Sequence, residues 1–343
     1  MNIKKNIYSS KSSKVWDNVC FNLGEYSYFS SYEMINYYSK YKDIKNISFA
    51  VYNDEGAYLA LVPLAIFKKN LNFPNDPCPS ISVNKNLKES EKRKVYKFCL
   101  NEIYQIMKKK KLKTYNFFTH PFQSKIEKNF LILENISFLQ KYSKLDKLVN
   151  TSIIDLKKDI DRIFIDMSKY HKKNINRSYK KDINFFRYDE FNKKKQNEIF
   201  LSFKRQHFIN SGKKTRPNST WLLMKNLLTN KKAQLYFIEY KKKKISYLFV
   251  GTNNFFSFGW SQVNDKKFEN EIMPRHVLEW EAIKDLKKRG ILYYDIGEIY
   301  DWHSENISDK QYSISTYKEK FGGTLYPKLY FKLGKNEFKN ILK

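Results

Sequence analysis

The chain has 343 residues, which is enough for two domains of ordinary size. Hydrophobic residues make up 41% and aromatic residues 17%, so a large core can form and wholesale disorder is excluded. The 65 Lys and Arg residues outnumber the 35 Asp and Glu residues, which gives a formal net charge of +30. This charge favours polyanionic partners, namely nucleic acid, phosphorylated sugars or an anionic membrane surface. Because most of the basic residues are Lys, a solvated Lys-rich background without function explains the charge as well.

The cysteines and the apolar segments indicate a cytoplasmic protein. Cys20, Cys78 and Cys99 have no spacing typical of a zinc site or of a disulfide framework. The first residues lack a hydrophobic signal core, and the longest apolar run, 57–67, is interrupted by Pro63 and too short to span a bilayer. We therefore expect a cytoplasmic chain without a transmembrane segment, and peripheral contact with the inner face of the membrane stays open.

The first half of the chain predicts a helix, a hairpin, a long helix and a strand. Residues 30–41 have helical apolar spacing, and 47–54 and 57–67 alternate as two strands around an Asp-Glu-Gly turn. A long amphipathic helix is predicted from about Glu89 to Lys109, followed by a strand at 113–120.

The second half predicts the same order of elements. The predicted elements are a helix at 219–228, strands at 233–240, 245–252 and 254–262, a helix at about 274–289 and a strand at 291–297. Four lysines at 241–244 are predicted to form the turn between the first two strands. The repetition predicts two copies of one α/β domain, with ranges 1–147 and 148–343.

Several kinds of catalytic site have no signature in this sequence. It contains no GxGxxG, no GxxxxGK[ST], no HExxH and no GxSxG, and its histidines have no metal-ligand spacing. We therefore expect no metal and no bound cofactor. Chemistry by positioning and electrostatics remains, and group transfer to an amine fits because the acceptor supplies the nucleophile.

Two segments of the second half place cations where anions could bind. Residues 165–191 contain a basic helix with Lys173 and Arg177 about one turn apart, which could meet a phosphate chain, although a solvated helix face explains it equally well. Further along, Arg275 and His276 fall in the first turn of a helix, where the helix dipole favours anions. Asp295, in the strand that follows, is either a structural carboxylate or a catalytic one.

A third segment, 312–334, contains the only Gly-Gly pair of the chain. Gly322 and Gly323 follow a short predicted helix and lead into a strand. Tyr317 and Lys318 lie one turn before this pair. A lysine held beside a rigid glycine turn could reach a developing oxyanion, whereas a lone lysine in a helix is ordinarily a surface residue.

In this order, the three segments resemble the FemABX-like peptidyltransferase family and related acyltransferases of the GNAT superfamily. The matching stretches are HKKNINRSYKK (171–181), Trp280-Glu281-Ala282-Ile283 with Gly290 and Tyr294-Asp295-Ile296-Gly297, and ISTYKEKFGG (314–323). Residues 63–67 and 79–95 resemble the N-terminal domain of the family. The family has Phe where Tyr317 stands and Ala where Tyr179 stands, and the GNAT acyl-CoA signature is not found here.

The resemblance implies an α/β (α+β) fold of two tandem GNAT-like domains, each a mixed, largely antiparallel sheet flanked by helices. It implies transfer of an acyl or aminoacyl group to an amine of a cell-envelope precursor, either a muropeptide or a nucleotide-linked or lipid-linked amino sugar. The donor would be acyl-CoA or aminoacyl-tRNA. Lys318 corresponds to the family's lysine beside the reacting carbonyl, where it would stabilise the tetrahedral intermediate. The residues expected to bind substrate are Lys173, Arg177, Arg205, Arg216, Trp260, Arg275, His276, Tyr317 and Phe321.

Two other hypotheses stay open at this point. The first is a basic RNA-binding protein without catalysis, in which the 26 Tyr and 27 Phe residues would supply stacking platforms, although no RNA-recognition or KH signature is present. The second is a catalytically silent partner in an envelope-synthesis complex that keeps only the fold.

Overall fold

The computed structural model describes residues 2–5, 13–24, 27–42, 44–74, 76–121, 144–253, 255–300 and 307–342. Its strands are β1 (Asn2–Lys5), β2 (Ile44–Asn46), β3 (Phe49–Tyr52), β4 (Tyr58–Val62), β5 (Ala65–Phe67), β6 (Asn70–Leu71), β7 (Cys78–Pro79), β8 (Ser82–Val83), β9 (Tyr115–Thr119), β10 (Lys144–Asp155), β11 (Ile183–Arg187), β12 (Ala233–Tyr240), β13 (Lys243–Thr252), β14 (Phe256–Asn264), β15 (Tyr293–Ile299) and β16 (Thr324–Leu333). Its α-helices are α1 (Ser13–Leu23), α2 (Tyr32–Ser39), α3 (Glu89–Lys109), α4 (Ile160–Asp166), α5 (Lys169–Tyr179), α6 (Lys193–Ser211), α7 (Asn218–Thr229), α8 (Glu269–Ile272), α9 (Pro274–Lys288), α10 (Asp309–Glu319) and α11 (Lys335–Leu342).

The chain divides into two compact units. One contains residues 1–148 together with 327–343, and the other contains 149–326. Residues 327–343 group with the first unit because the end of β16 pairs with β9 and because α11 packs on α3. The ranges 1–147 and 148–343 expected from the repeat differ from this division mainly in that last segment, and they stay a proposal for the domains.

In the first unit, helices pack on two small sheets. One sheet has the antiparallel order β1-β3-β4-β8, and the other has the order β16-β9-β6-β5-β2 with β7 also pairing with β9. Pro63 lies between β4 and β5, because proline cannot donate a hydrogen bond within a ladder. The apolar face of α3 is buried through Val95, Cys99 and Ile103.

The sheet of the second unit has the order β11-β12-β13-β14-β15-β10. All of these pairs are antiparallel except β14 with β15, which are parallel. The turn between β12 and β13 uses Lys241 and Lys242, both with positive φ, so β13 begins earlier than the predicted four-lysine turn allowed. The buried faces of α5 and α9 cover this sheet and carry Ile175, Val277 and Leu286 into its core.

A charged cluster joins the end of α9 to β11 and β12. The buried Asp285 carboxylate accepts hydrogen bonds from Arg187 (2.7 Å), Arg289 (2.6 Å) and the Tyr236 hydroxyl (2.9 Å). Asp189 forms an ion pair with Arg289 (2.9 Å) and lies 3.4 Å from Arg187. The cluster holds together three elements at the end of α9 opposite to Arg275.

The order of elements predicted from the repeat is confirmed. The first unit contains α2, the β3–β4 hairpin, α3 and β9 in sequence, and the second contains α7, the β12–β13 hairpin with β14, α9 and β15. The described helices outside this scheme are α1 and α11 in the first unit and α4, α5, α6, α8 and α10 in the second.

Candidate active site

The central parallel pair of the second unit separates after three residues. Phe256, Ser257 and Phe258 of β14 pair with residues 293–295 of β15, and beyond them β14 pairs only with β13 and β15 only with β10. Each strand has a bulge at the point of separation, where Trp260 and Ile296 are extra residues without a ladder partner. Because bulges bend a strand and redirect its side chains, these two open a gap between β14 and β15.

Asp295 holds the bulge of β15. Its Oδ1 accepts hydrogen bonds from the Thr151 hydroxyl (2.6 Å) and from the backbone N–H of Gly297 (2.7 Å), and the side chain is buried. Asp295 does not line the gap. These contacts agree with a structural carboxylate, the first of the two alternatives considered for this residue.

The gap forms a pocket of about 220 Å³ that is closed by α9 and α10. It therefore has room for the reacting ends of two molecules rather than for a whole nucleotide. Its lining combines apolar residues with a carboxylate, two cations and several hydroxyl and amide groups: Leu248, Gly259, Trp260, Ser261, Gln262, Asn264, Arg275, Glu279, Tyr294, Ile296, Ile314, Tyr317 and Lys318.

Glu279 is the carboxylate of the pocket. It lies in the second turn of α9, is only 2% exposed and accepts a hydrogen bond from the Tyr294 hydroxyl (2.5 Å). Burial raises the pKa of this carboxyl from its ordinary value of 4.5 to about 7, while the bond from Tyr294 and the positive charge of Lys318 act in the opposite direction. Glu279 can therefore exchange a proton near neutral pH.

Tyr294 can approach Glu279 because residue 259 is a glycine. A Cβ atom at Gly259 would lie 2.8 Å from the Tyr294 hydroxyl oxygen, closer than real Cβ contacts allow. Burial raises the pKa of Tyr294 well above its ordinary value, and the neighbouring Glu279 adds to the rise. Tyr294 thus remains a protonated donor to the carboxylate.

Lys318 reaches the pocket from the last turn of α10. Its Nζ lies 3.4 Å from the carbonyl oxygen of Glu298 and directly against Gly297, where any Cβ atom would collide with it. Gly297 has φ +110°, a conformation that side chains disfavour. A glycine at this position therefore satisfies two requirements at once, the backbone conformation and the approach of the lysine.

The position of α10 depends on the turn that follows it. A Cβ atom at Gly322, which has φ +76°, would meet the carbonyl of Asp166, and one at Gly323 would meet Ser152 and Ile153. Phe321 is fully buried against His171, with ring centroids 4.5 Å apart. The Gly-Gly pair thus lets the chain cross α4 and β10 at close range, and Phe321 acts as an anchor in the core rather than as part of the pocket lining.

Arg275 and Tyr317 form the other polar wall. The Arg275 guanidinium lies 4.6 Å from the centre of the Tyr317 ring, and the Tyr317 hydroxyl donates to the Arg275 carbonyl (2.9 Å). The Arg275 Nε is buried and has no hydrogen-bond partner within the described part of the chain. The guanidinium is therefore held in place with donor capacity left for an anion.

His276 packs behind this wall. It is 3% exposed, and its ring lies 4.5 Å from that of His171 and 5.1 Å from that of Tyr317. Burial lowers the pKa of His276 to about 3 and that of His171 to about 4, so both rings are neutral at physiological pH. His276 is not in the pocket lining, although its neighbour Arg275 is.

The remaining predicted binding residues lie away from the pocket lining. Lys173 and Arg177 are exposed on α5, and Arg205 is exposed on α6. Arg216 follows α6 and stacks on Trp221, with its guanidinium 4.8 Å from the ring centre. Of the predicted site residues, the structure brings Lys318, Tyr317, Arg275 and Trp260 together.

Three residues of the pocket lining were not predicted from the sequence as site residues: Glu279, Tyr294 and Gln262. For Glu279 a signal existed, because a carboxylate one turn after Arg275 and one turn before Ala282 falls on the inward stripe of the helix. Tyr294 stood inside the matched Tyr-Asp-Ile-Gly stretch without an assigned role. Gln262 had no signal, because only the divergence of β14 from β15 turns it towards the pocket.

The described residues contain neither a cluster of metal ligands nor a helix suited to span a membrane. No group of three or more His, Cys, Asp and Glu side chains there could hold a metal ion. Within the same ranges, no helix combines the length and the apolar character needed to cross a membrane.

Comparisons with known proteins connect this architecture to solved structures. No family model matches the sequence, and no curated protein is significantly similar to it. The structure of FemX aligns over 100% of both chains with a TM-score of 0.68 and 11% identity. The chain has a FemX-like fold. L-PGS from Bacillus licheniformis aligns over 94% of this chain and 92% of its own, with a TM-score of 0.60 and 13% identity. A tandem GNAT protein from the clavulanic acid biosynthesis pathway, solved without AcCoA, covers 97% and 99% with a TM-score of 0.55 and 8% identity.

The expected fold class is therefore confirmed. In this chain the pocket lies where the parallel pair of the second unit's mixed sheet separates.

Proposed function

We propose that the protein is an acyltransferase that moves an acyl or aminoacyl group from acyl-CoA or aminoacyl-tRNA to an amine of a cell-envelope precursor. The observation that carries this proposal is that Glu279 and Lys318 line the same small pocket of a FemX-like fold. A carboxylate with a pKa near neutrality and an ammonium group are the two charges that transfer to an amine requires.

In the proposed reaction, Glu279 is the base. An acceptor amine enters the pocket as an ammonium ion, and the Glu279 carboxylate takes one of its protons, so that a neutral nitrogen lone pair can attack the donor carbonyl. Buried carboxylates are suited to this role because their raised pKa lies near the working pH. The Tyr294 hydroxyl donates to Glu279 and orients it.

Lys318 then faces the charge that develops on the donor. When the C–N bond forms, the carbonyl oxygen becomes an oxyanion, and the Lys318 ammonium stabilises it. The attacking nitrogen, which is positively charged once the C–N bond has formed, releases a second proton to solvent. The tetrahedral intermediate collapses as the bond to the thiol or hydroxyl leaving group breaks, and that group takes the proton held by Glu279. Because the amine is the nucleophile, no covalent bond to the protein is needed.

Arg275 is proposed to bind the substrate through an anionic group. The Arg275 guanidinium forms no ion pair within the described part of the chain, so a phosphate or carboxylate of donor or acceptor would supply one. The tandem GNAT protein, whose structure was solved without AcCoA, supports an acyl-CoA donor.

The experiment is a transfer assay with defined donors and acceptors. The protein is incubated with acetyl-CoA, with a mixture of longer acyl-CoAs, or with charged bulk tRNA, each combined with nucleotide-linked amino sugars and muropeptides, and products are detected by their added mass. We expect one donor class to give a product, and we expect Lys318→Ala to lower kcat/KM about 100- to 1000-fold, as loss of one oxyanion donor does. Lys320→Ala is the matched control, since Lys320 is an exposed lysine two residues away.

Glu279→Gln tests the base. The wild-type kcat/KM should rise with pH and level off above about pH 7, whereas Glu279→Gln should lose about 100-fold or more and show no such rise. Glu281→Gln is the control, because its carboxylate binds Tyr179 and Lys284 outside the pocket lining. Absence of product with every donor, or tRNA binding without transfer, would contradict the proposal and favour a silent or RNA-binding protein.

A further inference from the structure

The outward face of α6 carries large apolar side chains in solvent. Leu201, Phe208 and Ile209 are 63%, 52% and 58% exposed, and the exposed Arg205 lies between them. Positions 201, 205, 208 and 209 follow the i, i+4, i+7, i+8 spacing that places residues on one side of a helix. Soluble proteins expose single apolar side chains, but a contiguous stripe of them marks a contact surface.

The stretch that carries this stripe is basic, although Glu198, which is paired with Lys195, lies one turn before Leu201. Between Glu198 and Glu239 the sequence has no acidic residue and eight Lys and Arg residues. Lys213 and Lys214, both exposed, follow directly after Gly212, where α6 ends. We call Leu201, Arg205, Phe208, Ile209, Lys213 and Lys214 together the α6 surface.

The opposite face of α6 is firmly held. Phe203 packs against Trp221 with ring centroids 5.6 Å apart, and Asn210 donates to the carbonyl of Asn264 (2.6 Å). His207 lies within hydrogen-bond distance of Ser261 (3.1 Å). Since Ser261 and Asn264 line the pocket, the α6 surface belongs to the same rigid wall as the pocket.

We propose that the α6 surface binds the surface of a bilayer that contains anionic phospholipids. Large apolar side chains flanked by cations are the composition of interfacial helices, which insert the former between lipid headgroups and place the latter at the phosphates. RNA fits the surface less well. It would use the cations, but Leu201 and Ile209 offer no ring for base stacking and would stay exposed.

The proposal concerns a partner and does not depend on the transfer reaction. A lipid surface at α6 would bring a membrane-embedded acceptor to the wall that contains Ser261 and Asn264, although binding itself can be measured without turnover. A failure of the transfer assay would therefore leave this proposal intact, and the reverse also holds.

The experiment is vesicle co-sedimentation of the full chain. Vesicles of equimolar phosphatidylglycerol and phosphatidylcholine are compared with vesicles of phosphatidylcholine alone, at low and at high salt. We expect binding to the anionic vesicles only, weakened by salt. The triple variant Arg205→Gln/Lys213→Gln/Lys214→Gln should weaken binding about 100-fold, at about fivefold for each cation. Phe208→Ser/Ile209→Ser should weaken it at least about tenfold.

Controls of the same chemistry are available in the first unit. Lys109→Gln/Lys110→Gln/Lys113→Gln removes three exposed lysines, and Phe21→Ser removes an aromatic ring that is 79% exposed. Both should bind vesicles as the wild type does. A direct readout uses Phe208→Trp, whose emission should shift to the blue with anionic vesicles, whereas that of Phe21→Trp should not.

Three outcomes would overturn the proposal. The first is equal binding to both kinds of vesicle, and the second is unchanged binding by the variant Phe208→Ser/Ile209→Ser. The third is a triple charge variant that loses affinity for bulk tRNA while vesicle binding stays unchanged, since the α6 surface would then be a nucleic-acid site.

Discussion

The proton affinity of Glu279 predicts how the stability of the protein depends on pH. In the folded chain, burial raises the pKa of this carboxyl from 4.5 to about 7. One pKa unit corresponds to about 1.4 kcal/mol, so ionising Glu279 in the folded state costs about 3 kcal/mol more than in the unfolded state. Because the side chain is only 2% exposed, solvent screening takes little from this value.

The sign of the effect follows from the direction of the shift. A group with a raised pKa holds its proton in the folded state at a pH where the unfolded chain has already released it. Its contribution to stability is therefore complete below about pH 4.5 and is lost as the pH rises to about 7. Gln at position 279 cannot ionise, so the variant avoids this loss.

The measurement compares urea unfolding of the wild type and of Glu279→Gln from about pH 4 to about pH 8. Relative to the wild type, the variant should gain about 3 kcal/mol in its free energy of unfolding across this range. Taking the difference between the two proteins cancels the titration of all other groups. Glu281→Gln reports the effect of removing a carboxylate from the same helix outside the pocket. A difference that is independent of pH, or one that Glu281→Gln reproduces, would refute the reasoning about Glu279.

Two further substitutions test the placement of Lys318 and the charged cluster around Asp285. Gly297→Ala should lower kcat/KM for transfer as strongly as Lys318→Ala, about 100-fold or more, because the new methyl group would displace the Lys318 Nζ. Gly290 also has positive φ, but open space surrounds it, so Gly290→Ala should keep the wild-type kcat/KM. If both alanine variants lose activity equally, backbone strain rather than displacement of the lysine is responsible. Asp285→Ala should lower the free energy of unfolding by about 2 to 3 kcal/mol, since two partly solvated arginines and a buried tyrosine lose their common acceptor, whereas Glu281→Ala should cost less than about 1 kcal/mol. Equal losses for the two carboxylates in urea unfolding would contradict the role of the cluster.

Local pattern was sufficient to predict the elements whose order occurs twice, although not α1, α6, β10 or β11. The apolar spacing of α3 and α9 and the alternation of β12 and β13 come from contacts between near neighbours in sequence, so each is visible in a short window. The long run of lysines at 241–244 was less informative, because only positive φ at Lys241 and Lys242 shows where the turn lies.

The candidate site was predicted in part, and the reason is geometric. Lys318, Tyr317 and Arg275 stand in stretches with recognisable turns and helix starts, so sequence could single them out. Arg205 and Lys173 carry the same charge as Arg275, but they lie on exposed helix faces outside the pocket lining. The charge of a residue does not show which way its side chain points in the fold.

By itself the sequence determined an α/β chain in which one order of elements occurs twice, because hydrophobic periodicity encodes secondary structure. Only the tertiary structure decided where chemistry can occur. The pocket exists because β14 and β15 pair for three residues and then separate at the bulges of Trp260 and Ile296. The raised proton affinity of Glu279 exists because side chains from distant parts of the chain bury it, while Tyr294 and Lys318 oppose part of this rise. Burial and convergence are properties of three-dimensional packing, and no window of the sequence contains them.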